Sequence, residues 1–194
     1  MQKFIQEKLK ASIDLKQKIY SNSEILSSIE QITHQLWEVI KSGHSIYFCG
    51  NGGSSADAQH LATELSGRFL KDRRAIKAEA LGTNMAFTTA VGNDFGFDRI
   101  FARSLEALGR PGDALILLST SGSSSNILAA ADQARAMNIT SIGLTGENGK
   151  KLTNKCDFNV QVPSKVVPRI QEAHLVIGHV ICEHLENSLI TLHS

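Results

Sequence analysis

In the stretch CGNGGSSADAQHLATEL, residues 49–65, a glycine-rich loop runs into a segment carrying His60 and Glu64 four residues apart. On a helix, residues at i and i+4 share one face, a turn apart. A histidine and a carboxylate so placed can hold a divalent ion, as in the helical two-histidine zinc motif. They can equally form no more than a surface ion pair. Asp57 precedes His60 by one turn.

A second polar concentration, STSGSSSN at 119–126, holds five serines, a threonine and a glycine. Small residues let the backbone approach a ligand, and the N–H groups opening a helix attract anions. Hydroxyls add donors without fixed charge. A phosphate monoester suits such a loop, and one serine would suffice if its task were only to cap the next helix. Two further clusters stand out. VGNDFGFDRIF, 91–101, has Asn93 and Asp94 near glycines, which also suits a tight turn. RIQEAHLVIGHV, 169–180, sets Gln171, Glu172, His174 and His179 among apolar residues.

Nucleotide motifs are excluded. GNGGSS has Ser55 where the dinucleotide fingerprint needs its third glycine, and TGENGKK near Gly146 has neither the spacing nor the final residue of a P-loop.

The elements positioning these clusters follow from periodicity. The first forty residues read as helical. Ile25, Ile29, Ile32, Leu36 and Ile40 keep a helical period, with Ser23 as N-cap and Gly43 as stop. SIYFCG then reads as a buried strand, SADAQHLATELSG as a helix closed by Gly67, and AIKAEAL as a weaker strand. DALILLSTSG is a strong strand followed by the helix NILAAADQARAM. TSIGLTG and FNVQV are further strands, and a helix from about Pro168 to Leu192 closes the chain. Apolar strands without in–out alternation, interleaved with helices, predict a parallel sheet covered on both faces. The right-handed crossover rule makes this a three-layer αβα sandwich, doubly wound, whose ligands bind beyond the carboxyl ends of the strands. Both polar loops lie there. The expected organisation is an N-terminal helical arm, 1–42, followed by one α/β unit, 43–194, with a five-stranded parallel sheet.

A net charge of +1 over 194 residues argues against a nucleic-acid surface. Cys49, Cys156 and Cys182 lack metal or redox spacing and read as buried thiols in a reducing compartment. Met1 to Lys16 shows no apolar core of a signal peptide, and no stretch approaches the ~18 apolar residues of a membrane span. A cytoplasmic protein is expected. Lys71, Asp72, Arg73 and Arg74 form a short mixed run that reads as a solvated loop.

Taken together, CGNGGSSADAQHLATELSGRF, VGNDFGF, LSTSGSSSN, GLTG and RIQEAHLVIGH resemble the bacterial phosphoheptose isomerases of the sugar isomerase (SIS) domain family. The resemblance spans nearly the whole chain and is weakest before Ser42. It implies an aldose–ketose isomerase acting on sedoheptulose 7-phosphate, a homotetramer with sites between subunits, and one Zn2+ per subunit. It places substrate contacts on Asn51, Gly52, Gly53, Ser54, Asn93 and Asp94, and phosphate contacts on Ser119, Thr120, Ser121 and Ser124. Its metal set is His60, Glu64, Gln171 and His179; Glu64 and His179 are also its acid/base pair, and Glu64 and Gln171 also touch substrate. Pro168, just before Arg169, departs from the small or polar residue expected there. Gln171 and His179 are eight residues apart, about 12 Å along a helix axis. Both reach one ion only by leaning together, or one of them comes from a neighbouring subunit. Two other readings remain: a non-catalytic SIS-family adaptor that binds the replication initiator as a tetramer, and an isomerase of another phosphosugar.

Overall fold

The strand-like runs of the sequence form one sheet. In the computed structural model, which describes residues 1–192, they are β1 (Ile46–Gly50), β2 (Ala78–Ala80), β3 (Ala114–Ser119), β4 (Thr140–Gly146) and β5 (Phe158–Val162). All pairings are parallel, in the order β2-β1-β3-β4-β5. β1 and β3 are buried along their whole length, as strands covered on both faces must be. The weaker run 75–81 contributes only three residues, at the sheet edge.

The helices are α1 (Gln2–Tyr20), α2 (Ser23–Lys41), α3 (Gly53–Ser66), α4 (Met85–Phe95), α5 (Ile100–Leu108), α6 (Ser125–Ala136), α7 (Lys150–Thr153) and α8 (Val167–Leu192), with a 3-10 turn at Phe97–Arg99. Two cores separate them into layers. Ile46 and Phe48 point to one face, where α2, α3 and α8 bring Ile32, Leu36, Leu61, Leu65, Ile177 and Leu185. Tyr47 and Cys49 point to the other, where α5 and α6 bring Phe101, Leu105, Ile127 and Ala131. The strand period of two sorts the side chains between the cores.

The helical first forty residues are two helices, broken at Ser21–Asn22. The cap of α2 is Asn22 rather than Ser23: its side-chain oxygen accepts from the N–H of Glu24 and of Ile25, both at 3.0 Å. α2 is part of the sandwich, with Ile32 and Leu36 fully buried. α1 lies outside it and is tied to α8 by Arg169, which donates to the Lys8 carbonyl (2.8 Å), and by Ser12, which donates to Glu172 (2.7 Å). Pro168 sits in the first turn of α8, where a missing N–H costs nothing.

The mixed run at 71–74 is not a solvated loop throughout. The Arg73 side chain is 2% exposed and pairs at 3.3 Å with Glu186 on α8, itself 1% exposed. The reason is tertiary: the partner lies 113 positions away. Cys49 and Cys182 are buried, Cys156 is half-buried and all three are free. Burial pushes the Cys182 thiol up to about 12, which keeps it protonated and inert. Among the described residues no helix is long and apolar enough to cross a membrane.

Candidate active site

From β1 the chain passes to β2 on one side and then to β3 on the other, so the sheet's switch point lies between β1 and β3. In doubly wound sheets the crevice beyond the carboxyl ends of such strands is where ligands bind. The glycine loop leaves β1 there and the serine loop leaves β3.

The glycines are required by close approach. A Cβ at Gly50 would stand 2.4 Å from the Ser54 carbonyl oxygen, and one at Gly53 would stand 2.3 Å from the Gln171 amide nitrogen. Gly52, which precedes the first turn of α3, has φ +56. Gln171, from the start of α8, therefore lies directly on the glycine loop. The serine loop is held by its own hydroxyls. Ser119 Oγ accepts from the N–H of Gly122 (3.1 Å), and Ser121 Oγ accepts from the N–H and hydroxyl of Ser123 (3.3 and 3.1 Å). The Gly146 N–H donates to the Thr120 carbonyl at 3.1 Å. Ser124 occupies the cap position of α6 without its side chain capping the helix, so the first-turn N–H groups face the loop uncapped by it.

The two loops are joined. Asn51 and Asn126 exchange a pair of amide hydrogen bonds, each 2.8 Å, between residues 75 positions apart. Asn126 is buried. It stands at the end of the serine motif, but nothing in the motif's spacing marks it as a partner of Asn51. Asn93 and Asp94 lie in the last turn of α4 rather than in a free turn. They are exposed, and the Asn93 amide donates to Asp94 (2.8 Å). Their neighbourhood is tied to the serine loop through a hydrogen bond from Ser125 to Asp98.

The His–Glu pair on α3 gains its third member from α8. Each of His60, Glu64 and His179 offers one donor atom, and these atoms all lie within 4.8 Å of one another. His60 Nε2 is 2.8 Å from His179 Nε2 and 3.3 Å from Glu64 Oε1. Donors held at 2.0–2.2 Å around one tetrahedral Zn2+ stand ~3.3 Å apart, so the set fits a divalent ion of that type. Two imidazoles and one carboxylate also match zinc in donor chemistry. Asp57 adds negative charge nearby: its Oδ2 is buried without a hydrogen-bond partner among the described residues. Burial raises the Asp57 carboxyl pKa, and His60 opposes that rise. The Gln171 amide lies against Gly53, the first residue of α3, eight residues before His179 on α8. α3 and α8 lie side by side, Gly53 against Gln171 and His60 against His179. Gln171 thus lies at the start of the helix pair and His179 near its middle.

Fold and cluster define a doubly wound α/β protein with a loop site at its switch point and a candidate metal centre between two helices. The family described as SIS domain matches residues 10–146. The chain is similar to the phosphoheptose isomerases of Aneurinibacillus thermoaerophilus (44% identical, covering 97% of this chain and 96% of that one) and Clostridium acetobutylicum (43%, 97% and 96%). Among solved structures it resembles the phosphoheptose isomerase of Francisella tularensis (TM-score 0.91, 34% identical, 95% and 97% covered). It also resembles that of Neisseria gonorrhoeae (TM-score 0.89, 34%, 96% and 98%). The chain belongs to the SIS domain family, among its phosphoheptose isomerases.

Proposed function

We propose that the chain is an aldose–ketose isomerase that interconverts sedoheptulose 7-phosphate and D-glycero-D-manno-heptose 7-phosphate through an enediol. That reaction opens the route to nucleotide-activated heptose for lipopolysaccharide or another surface polysaccharide, in the cytoplasm. The observation carrying this reading is the convergence of His60, Glu64 and His179 within 4.8 Å on two packed helices. The same intact set speaks against a non-catalytic adaptor for the replication initiator.

Isomerisation moves a proton between C1 and C2, so a base must take it alpha to a carbonyl and an acid must serve the neighbouring oxygen. Glu64 is the base and His179 the acid in this reading. A positioned pair contributes on the order of 100- to 10,000-fold per proton transfer. Ser119, Thr120, Ser121 and Ser124, with the N–H groups opening α6, grip the phosphate. Asn51, Gly52, Gly53, Ser54 and Gln171 hold the polyol, with Asn93 and Asp94 on the other side of the serine loop. Phosphate binding far from the reacting carbons supplies the energy that orients them.

His60, Glu64 and His179 would hold one Zn2+ per subunit; when bound, it polarises the carbonyl and stabilises the developing oxyanion. Ligation would lower the basicity of a carboxylate, so the roles of Glu64 as ligand and as base compete. In this reading the ligand set is shared between subunits, with Gln171 or His179 supplied by a neighbour. That is consistent with a homotetramer in which α2 belongs to the catalytic unit and α1 alone is the arm. The uncovered apolar residues Phe4, Ile5, Leu9 and Ile13 on α1 and Val176 and Val180 on α8 support self-association.

The test is direct. Purified protein is assayed for bound metal, and sedoheptulose 7-phosphate conversion is followed by NMR. The expected result is conversion that chelation abolishes and Zn2+ restores. Turnover of a different phosphosugar with none of sedoheptulose 7-phosphate would overturn the substrate assignment. Full activity in a monomer would exclude the shared site.

A further inference from the structure

The segment between α3 and β2 is bound to both helices of the metal-type cluster. The carboxylate of Glu186 accepts from the backbone N–H groups of Phe69 (3.2 Å), Leu70 (2.8 Å) and Lys71 (2.9 Å). The guanidinium of Arg73 donates to the carbonyls of Glu64 (2.7 Å), Leu65 (2.9 Å), Gly67 (3.2 Å) and Arg74 (3.1 Å). Carbonyls ending a helix lack intrahelical partners and attract a cation. Arg73 therefore closes the last turn of α3, Glu64 included. Glu186 lies seven residues beyond His179 on α8, two turns along the same face and about 10 Å away. The loop held in this way brings the Phe69 ring to His179, with centroids 5.5 Å apart and planes at 31°. The other ring neighbour of His179 is His60, at 5.1 Å and 65°. Among the described residues no hydrogen bond holds His179 Nδ1, so the ring is oriented by its Nε2 contact with His60 and by packing against Phe69.

We propose that Phe69, seated by the buried Arg73–Glu186 pair, is a positioning residue for the His60–Glu64–His179 centre. Its ring limits rotation of the His179 imidazole, and the ion pair sets how far the last turn of α3 stands from α8. The inference rests on the metal reading above. Groups that orient metal ligands, rather than bind the metal, typically change its affinity by roughly 10- to 100-fold when removed.

The full chain is compared with Phe69→Ala, Glu186→Gln and, as a control in the same loop, Leu70→Ala, whose side chain is exposed. Zn2+ affinity is measured by competition with a chromophoric chelator, and donor geometry by the visible absorption of bound Co2+. Phe69→Ala and Glu186→Gln are expected to weaken Zn2+ roughly 10- to 100-fold and to alter the Co2+ spectrum, with Leu70→Ala matching the parent. Phe69→Ala carries the test if Glu186→Gln does not fold. A Phe69→Ala protein with native circular dichroism, unchanged Zn2+ affinity and an unchanged Co2+ spectrum overturns the positioning role alone. A parent chain that takes up neither ion overturns the metal reading and this inference with it.

Discussion

The serine loop at 119–126 and the connection at 67–76 are both irregular segments that touch the candidate site, and they are built in opposite ways. The serine side chains of the serine loop bond locally, Ser119 and Ser121 accepting from residues two or three positions on, while Thr120, Ser125 and Asn126 tie the loop to its neighbours. The connection takes its order from across the molecule, through Glu186 on α8. A loop of the first kind carries its chemistry in its composition. A loop of the second kind looks like an ordinary charged stretch until its partner is known.

The sharpest way to break this comparison is to remove a group that acts in the chemistry. Glu64→Gln is expected to lower kcat by about 100- to 10,000-fold with the fold intact, measured as NMR turnover beside circular dichroism. Retained turnover would take Glu64 out of the base role. Next comes the connection. Glu186→Ala leaves the Arg73 guanidinium buried without its partner, and losing one member of a buried pair costs about 3–5 kcal/mol. Urea unfolding should show that loss, whereas Ser121→Ala, whose hydroxyl bonds only within its own loop, should shift stability by no more than about 0.5 kcal/mol.

A third test uses pH. His174 on α8 is buried, and its Nε2 lies 3.3 Å from the Thr145 carbonyl, to which it donates. Burial lowers its pKa from 6.5 to about 4, while the Thr145 carbonyl favours the charged form. Because the folded value lies below the unfolded one, the unfolded chain takes up the proton first. The stability this group contributes is complete above pH 6.5 and is lost as pH falls toward about 4. The slope is about 1.4 kcal/mol per pH unit. His174→Gln should flatten that slope in denaturation measured across the window. The smaller effect on turnover belongs to the join between loops. Asn126→Ala removes both amide bonds to Asn51, and kcat/KM should fall about 5- to 100-fold, for a loss of about 1–3 kcal/mol. The loss should be non-additive with Asn51→Ala in a double-mutant cycle.

Much of this architecture was legible from the chain. β1, β3 and β4 declared themselves because strands buried on both faces are predominantly apolar. The glycine and serine loops declared themselves because small residues and hydroxyls at strand ends have few other uses. The facing of His60 and Glu64 followed from helix geometry alone. Other features were hidden in proportion to their sequence separation. The break at Asn22 was masked by helical character on both sides. The Asn51–Asn126 exchange joins two polar residues that spacing does not relate. Arg73 sat in a run whose neighbours are exposed, and only Glu186 distinguishes it.

The amino-acid sequence by itself determined the layered α/β class, the two loops at the switch point and the pairing of an imidazole with a carboxylate on one helix, since all of these depend on local period and residue type. Tertiary structure alone decided that α8 lies along α3 so that His179 meets that pair, that Gln171 lies on the glycine loop, and that a buried cation closes the turn bearing Glu64. Those outcomes depend on how two amphipathic helices dock against a shared sheet face, and no local pattern encodes the register between helices more than a hundred residues apart.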